Sequence, residues 1–176
     1  MYLKPNIAVR EFNYVFSTYS ISEGDDLLTR SYTAEGHEVR VDEPKAVGGL
    51  GRAPNPIELF LTSLSSCFIV TLKLHARRHR LPIDRVEVFS EGSFDIRGFI
   101  MPDKFGSGFR ELKMEISLIS EARCIDITKL VDRVLKGWVV GSTVSRGIPI
   151  KVKLTIRCVD EVNEFKEIIS ELVLQG

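Results

Sequence analysis

The sequence predicts an α+β fold in which antiparallel strands surround one long buried helix. Three observations carry that expectation. Apolar residues recur at every second position in several segments; residues 56–80 carry apolar side chains on more than one helical face; and a Gly- and Pro-bearing stretch separates the first strands from that helix. At 176 residues with 44% apolar content, a single domain spanning 1–176 can bury roughly 70% of its unfolded surface without metal or disulfide staples. The 24 Lys and Arg balance 24 Asp and Glu, which excludes a wholly basic nucleic-acid module. No window reaches the ~18 uninterrupted apolar residues of a spanning helix. Residues 1–10 have no apolar signal core, so a cytoplasmic chain with no membrane partner is expected.

In residues 7–20, Phe12, Tyr14 and Phe16 alternate with Asn13, Val15 and Ser17, the period of a strand with one buried face. Glu23-Gly24-Asp25-Asp26 supplies a turn. Residues 27–33 and 38–42 then read as two more strands, completing an antiparallel meander. The stretch Gly48-Gly49-Leu50-Gly51-Arg52-Ala53-Pro54 forbids regular structure. It matches neither a P-loop nor a dinucleotide fingerprint. Asn55 then suits an N-cap, Pro56 the first helical position and Glu58 the third, the spacing of a capping box.

The helix begun there runs to about residue 80, stopped by Pro82, and its apolar residues cover more than one face, so several neighbours must enclose it. Lys73, Arg77, Arg78 and Arg80 fall near its end, where cations complement the negative pole of the helix dipole. No Phe, Tyr or Trp interleaves these cations for base stacking, so no nucleic-acid partner is expected. Strands follow at 85–96 and 109–119. In the second, Leu112, Met114, Ile116 and Leu118 face inward. Ile127, Leu130, Val131, Val134, Leu135 and Trp138 mark a second helix, and residues 148–158 a closing strand with Ile148, Ile150, Val152, Leu154, Ile156 and Cys158 inward. Val162, Phe165, Ile169 and Leu172 predict a C-terminal amphipathic helix over 160–175.

Three cysteines are an odd number at wide spacing, without a Cys-x-x-Cys pair, so at least one thiol is free or intermolecular. Cys158 continues an inward strand face and reads as core; Cys124 precedes the second helix without a cue to its role. Cys67 lies mid-helix among Phe60, Leu64, Val70, Thr71 and Leu74. A lone helical cysteine is most often packing. Neither a helix terminus nor a charged neighbour one turn away activates this one. His75 and His79 have a metal-compatible spacing but lack the Glu of a zinc-protease motif and stand among cations, so no metal and no cofactor are expected.

One combination goes further. Val41-Asp42-Glu43-Pro44, Gly48-Gly49, Pro54-Asn55-Pro56-Ile57-Glu58-Leu59 and Ser66-Cys67-Phe68 together resemble the OsmC/Ohr family of osmotically inducible and organic hydroperoxide resistance proteins. Asp95-Ile96-Arg97-Gly98-Phe99, Gly108-Phe109-Arg110-Glu111-Leu112 and Thr143-Val144-Ser145-Arg146-Gly147-Ile148-Pro149-Ile150 extend the resemblance to about residues 38–158. It implies an intertwined homodimer whose chains share sheets around paired central helices. It also implies thiol chemistry in which a helix cysteine, matched by Cys67, attacks a peroxide O–O bond and becomes a sulfenic acid that a second cysteine captures.

Alignment on Gly147-Ile148-Pro149-Ile150 puts Trp138 at that second cysteine's position. Ile57 stands where the peroxidases carry a carboxylate, and Glu58, one residue later, is turned by about 100° around the helix. The family's activating arginine comes from the N-terminal strands, where Arg30 is the candidate. Two functions follow as expectations. The first is hydroperoxide reduction by Cys67 alone in oxidative stress defence, its sulfenic acid reduced by an external dithiol, or by Cys124 should the fold bring it close. The alternative is a non-redox dimer that binds a small apolar ligand, because Trp138 and Ile57 make the site more apolar.

Overall fold

The computed structural model describes residues 7–10 and 12–176, with side chains from residue 12 onward. The chain divides into two compact units, residues 1–60 and 61–176. The first holds β1 (Ile7–Arg10) and β2 (Asn13–Phe16), paired as an antiparallel hairpin, and an antiparallel meander of β3 (Thr18–Ser22), β4 (Thr29–Thr33) and β5 (Glu38–Val41). A single 310 turn, Lys45–Val47, follows. The meander agrees with the sequence reading, but the expected strand over 7–20 is broken into three. The face expected to be buried there is open: Phe12 is 98% exposed, and Tyr14 and Phe16 are exposed as well.

The boundary between the units falls inside α1 (Pro56–His79). The predicted capping box is present. Glu58 N–H donates to Asn55 Oδ1 at 2.8 Å, and Asn55 N–H donates to Glu58 Oε2 at 2.8 Å, satisfying two donors that the first helical turn otherwise leaves unpaired.

The second unit continues with β6 (Arg85–Ser93), the single-turn helices α2 (Arg97–Ile100) and α3 (Pro102–Phe105), β7 (Glu111–Arg123), α4 (Cys124–Gly137), α5 (Val139–Val144), β8 (Ile150–Val159) and β9 (Phe165–Leu174). Its four strands form one sheet in the order β6-β7-β8-β9, with β7 and β8 parallel and the outer pairings antiparallel. The sheet is therefore mixed rather than wholly antiparallel. A parallel pair needs a crossover, and α4 and α5 supply it between β7 and β8. As predicted, Leu112, Met114, Ile116 and Leu118 of β7 and Ile150, Val152, Leu154, Ile156 and Cys158 of β8 are buried. Ile127, Leu130, Val131, Val134 and Leu135 of α4 and the α1 stripe Leu64, Phe68, Leu72 and Ala76 complete the core.

Residues 160–175 are not the expected helix. Asp160 N–H donates to Glu164 O, its Oδ1 accepts from Val162 and Glu164 N–H, and Asn163 takes φ 64°, so a tight turn sends the chain back along β8 as β9. In β9, Ile168, Ser170, Leu172 and Leu174 are half-buried, while Ile169 and Val173 are exposed. The spacing of Phe165, Ile169 and Leu172 suits a helix, but β-branched residues beside a strand lacking a partner favour pairing. Ladder hydrogen bonds to β8 outweigh the short-range periodicity.

Candidate functional site

α1 brings Cys67 to the edge of the buried stripe. Its side chain is half-buried, carries no disulfide, and has no hydrogen bond or ion pair within residues 61–176. Two residues earlier, Ser65 Oγ donates to Leu61 O at 3.0 Å and lies 2.7 Å from Ser90 Oγ of β6, so this turn is pinned to the sheet. One residue later, Phe68 is fully buried and meets the Trp138 ring edge-on, with centroids 5.4 Å apart and planes at 88°. Such pairs favour this T-shaped geometry because a ring edge is positive and a ring face negative.

Trp138 is positioned by its backbone. It ends α4, with its N–H donating to Val134 O at 3.0 Å, and its own carbonyl accepts from Ser142 N–H at 2.9 Å at the start of α5. A Cβ on Gly141 would run into the indole, so only glycine admits the ring there. The indole is fully buried and its Nε1–H has no partner. Trp138 thus forms a wall of the core behind Phe68, and it offers no thiol.

Cys124 and Cys158 are bonded to each other, Cα atoms 5.0 Å apart. This explains the odd cysteine count: one intrachain pair and one free thiol. Cys158 is buried as expected, but as half of a bridge rather than as a free core thiol. Nor does the fold bring Cys124 to Cys67. Ser90, beside Ser65, lies opposite Met114, and Met114 lies opposite Val152. From Val152 to Cys158 the strand advances about 20 Å. Cys67 itself is only about 3 Å along α1 from Ser65. A gap on the order of 15–20 Å rules out direct disulfide exchange between Cys67 and the bridge in this arrangement.

The two histidines of α1 do not act together either. His75 Nδ1 is buried without a partner, whereas His79 Nε2 lies 3.5 Å from Arg133 Nη1 of α4. Among the described residues no group of three or more His, Cys, Asp or Glu gathers as a metal would require.

In the first unit, Arg30 lies on β4, and its Nη2 donates to Glu23 Oε2 at 3.5 Å, both side chains exposed. The sequence reading missed a neighbouring cluster. Asp42, at the end of β5, is buried; it accepts Glu43 N–H at 2.9 Å with Oδ1, and Arg52 N–H and Nε at 3.1 Å with Oδ2. Arg52 Nη2 also donates to Asp26 Oδ2 at 3.0 Å. The Arg52 backbone N–H and guanidinium, with Glu43 N–H, hold the Asp42 carboxyl below its usual range, against the opposing effect of burial. Gly49 packs so closely on Glu43 that a Cβ would strike its carbonyl. The Gly-rich stretch is therefore a folded loop clamped onto β5, and an aspartate ending a strand before glycines was the available signal.

A family model described as OsmC-like protein matches residues 49–153. The chain belongs to the OsmC-like family. Over 81 residues this OsmC-like chain is 32% identical to an uncharacterized protein of Acinetobacter baylyi, covering 46% of this chain and 52% of that one. It thus spans about half the length of that curated relative. An OsmC-like protein from Mycoplasma pneumoniae superposes with a TM-score of 0.66 at 19% identity, over 80% of this chain and 95% of the other. An organic hydroperoxide resistance protein OsmC from Legionella pneumophila gives 0.56 at 21% identity, over 81% and 97%. A Vibrio cholerae organic hydroperoxide resistance protein with captopril bound in one of its active sites gives 0.56 at 19%, over 84% and 95%. At these identities the structures establish the OsmC-like fold.

Proposed function

We propose that this OsmC-like protein reduces small organic hydroperoxides through Cys67 alone. The observation that carries the proposal is a free, half-buried thiol on α1, beside a pinned turn and inside the family match. In the first step the Cys67 thiolate attacks the terminal peroxide oxygen, the O–O bond breaks, and the alkoxide takes a proton to leave as an alcohol. The thiol is oxidised to a sulfenic acid and the hydroperoxide is reduced. An external dithiol then attacks the sulfenic sulfur, water leaves, and the dithiol's second sulfur resolves the mixed disulfide, restoring Cys67 and releasing an oxidised dithiol.

The remoteness of the Cys124–Cys158 pair supports an external reductant over an internal one. Arg30 is the candidate for stabilising the thiolate. Arg40 is tied to Glu38 at 2.6 Å and Arg52 to two aspartates, whereas the ion pair of Arg30 with Glu23 is longer, at 3.5 Å. The decisive assay supplies an alkyl hydroperoxide and a dithiol. Turnover should disappear in Cys67→Ser and fall about 10- to 100-fold in Arg30→Met, the loss of one charge-assisted stabilising contact. Turnover equal to that of Cys67→Ser in the unsubstituted protein would refute the proposal.

A homodimer belongs to the same proposal. Val70 and Leu74 of α1 and the aromatic side chains of β2 are exposed, a set of apolar faces that a second copy would cover. Sedimentation should report twice the chain mass. A cytoplasmic setting is also proposed; there a reducing thiol pool acts on the Cys124–Cys158 bridge, and counting thiols in protein quenched inside cells reads its state. The second reading, a dimer binding an apolar ligand without redox chemistry, draws on the buried, edge-on pair of Phe68 and Trp138 and on the small molecule held by the Vibrio relative. Saturable binding of an apolar probe by both the unsubstituted protein and Cys67→Ser, without hydroperoxide turnover in either, favours it over peroxide chemistry.

A further inference from the structure

The cations at the end of α1 have a companion set that the sequence did not connect with them. His79 and Leu81 from that end, and Asp126, Lys129, Leu130 and Arg133 from α4, line an open cleft of about 400 Å³, within the size range of small-molecule sites. Leu81 and the nearly buried Leu130 give it apolar surface. Lys129 and Arg133 are one helical turn apart, so both project from the same face of α4.

These cations are not neutralised. Arg77, Arg78, Arg80, Lys129 and Arg133 have no carboxylate within 4.0 Å among the described residues; of the two nearby α4 aspartates, Asp126 pairs with Arg123 at 2.9 Å and Asp132 with Lys136 at 4.0 Å. In a chain of zero net charge, this concentrates positive potential on one cleft. The dipole of α1 accounts for the arginines of its last turn. It does not account for Lys129 and Arg133, which sit in the middle of α4. Arg133 Nη1 also lies 3.5 Å from His79 Nε2, so a guanidinium, which can only donate, and an imidazole meet at the cleft, whose one carboxylate, Asp126, is paired with Arg123.

We propose that this cleft binds a small phosphate monoester, its phosphoryl oxygens taking hydrogen bonds from Arg133, Lys129 and His79 while its organic part rests on Leu81 and Leu130. A guanidinium fork and a mobile ammonium together suit a tetrahedral dianion. The lining contains no Phe, Tyr or Trp to stack bases, which favours a small ligand over a nucleic acid. The site is independent of Cys67, about 18 Å away along α1, so its failure and that of the peroxidase proposal are separable.

The test is calorimetric titration of the full-length protein with phenyl phosphate and with inorganic phosphate, at constant ionic strength and neutral pH, together with NMR of the His79 imidazole protons. Saturable binding of phenyl phosphate that moves the His79 signals, is retained in Cys67→Ser, and weakens about tenfold in Arg133→Met and in Lys129→Met supports the proposal. Both substitutions are at exposed positions, and unchanged circular dichroism verifies that the variants fold. Absence of saturation up to about 10 mM, or equal binding by the unsubstituted protein and Arg133→Met, overturns it. So does a response confined to duplex DNA or anionic vesicles, which would make the cleft part of a macromolecular docking surface.

Discussion

The two compact units differ in how completely each covers its own apolar surface. In residues 61–176 the inward faces of β7 and β8 are closed by α4 and one stripe of α1. In residues 1–60 every described side chain of β2 is exposed, and order is concentrated in the polar clamp of Arg52 on Asp42 and Asp26. A two-stranded hairpin without a covering layer is marginal in water. The second unit therefore contains its own closed core, whereas the first leaves the side chains of β2 exposed.

Substitutions can break that comparison, beginning with the core. Phe68→Ala should destabilise the protein by about 3–5 kcal/mol, because it empties a fully buried position against Trp138; denaturant unfolding measures it. Cys158→Ser, or reduction of the bridge, should cost about 2–4 kcal/mol, since the bond ties the first residue of α4 to the end of β8; unfolding with and without reductant reads the difference. In the first unit, Phe12→Ser combined with Phe16→Ser should change the monomer's stability by no more than about 0.5 kcal/mol, yet shift sedimentation toward the single-chain mass. A large loss of monomer stability would show that the hairpin is covered within the chain.

The smallest effect is expected at Asp95. Hydrogen bonds from the Arg97 side chain, then from its backbone N–H, bring the Asp95 carboxyl down from 3.8 to about 2. A folded-state value below the unfolded one stabilises the native protein above the unfolded value, and that contribution is lost as pH falls from about 4 to about 2. The carboxyl carbon shift of Asp95 should titrate near 2, and Asp95→Asn should remove that acid-sensitive component of stability.

The strands β7 and β8 were legible because one buried face imposes a strict two-residue period that nothing else reproduces over so long a run. The start of α1 was legible because a capping box is a local chemical pattern, complete within Asn55 to Glu58. Cys67 was found through motif resemblance, and its freedom follows from the pairing of the other two cysteines. β9 was misread because residues 165–174 fit both periods, and the deciding partner, β8, lies in a different stretch of sequence. The clamp of Arg52 on Asp42 and Asp26 was missed for a similar reason: its partners stand 10 and 26 residues away.

By itself, then, the sequence determined the α+β class, the long helix with its start, the inward faces of two strands and the family. Each is encoded in neighbours a few residues apart, where backbone geometry turns spacing directly into a shared face. Only the tertiary structure decided the parallel pairing of β7 with β8, the strand at the C-terminus, the Cys124–Cys158 bridge and the meeting of His79 with Arg133. Those contacts join distant segments, and their free energy depends on which surfaces the folded chain brings together, a quantity that no local pattern contains.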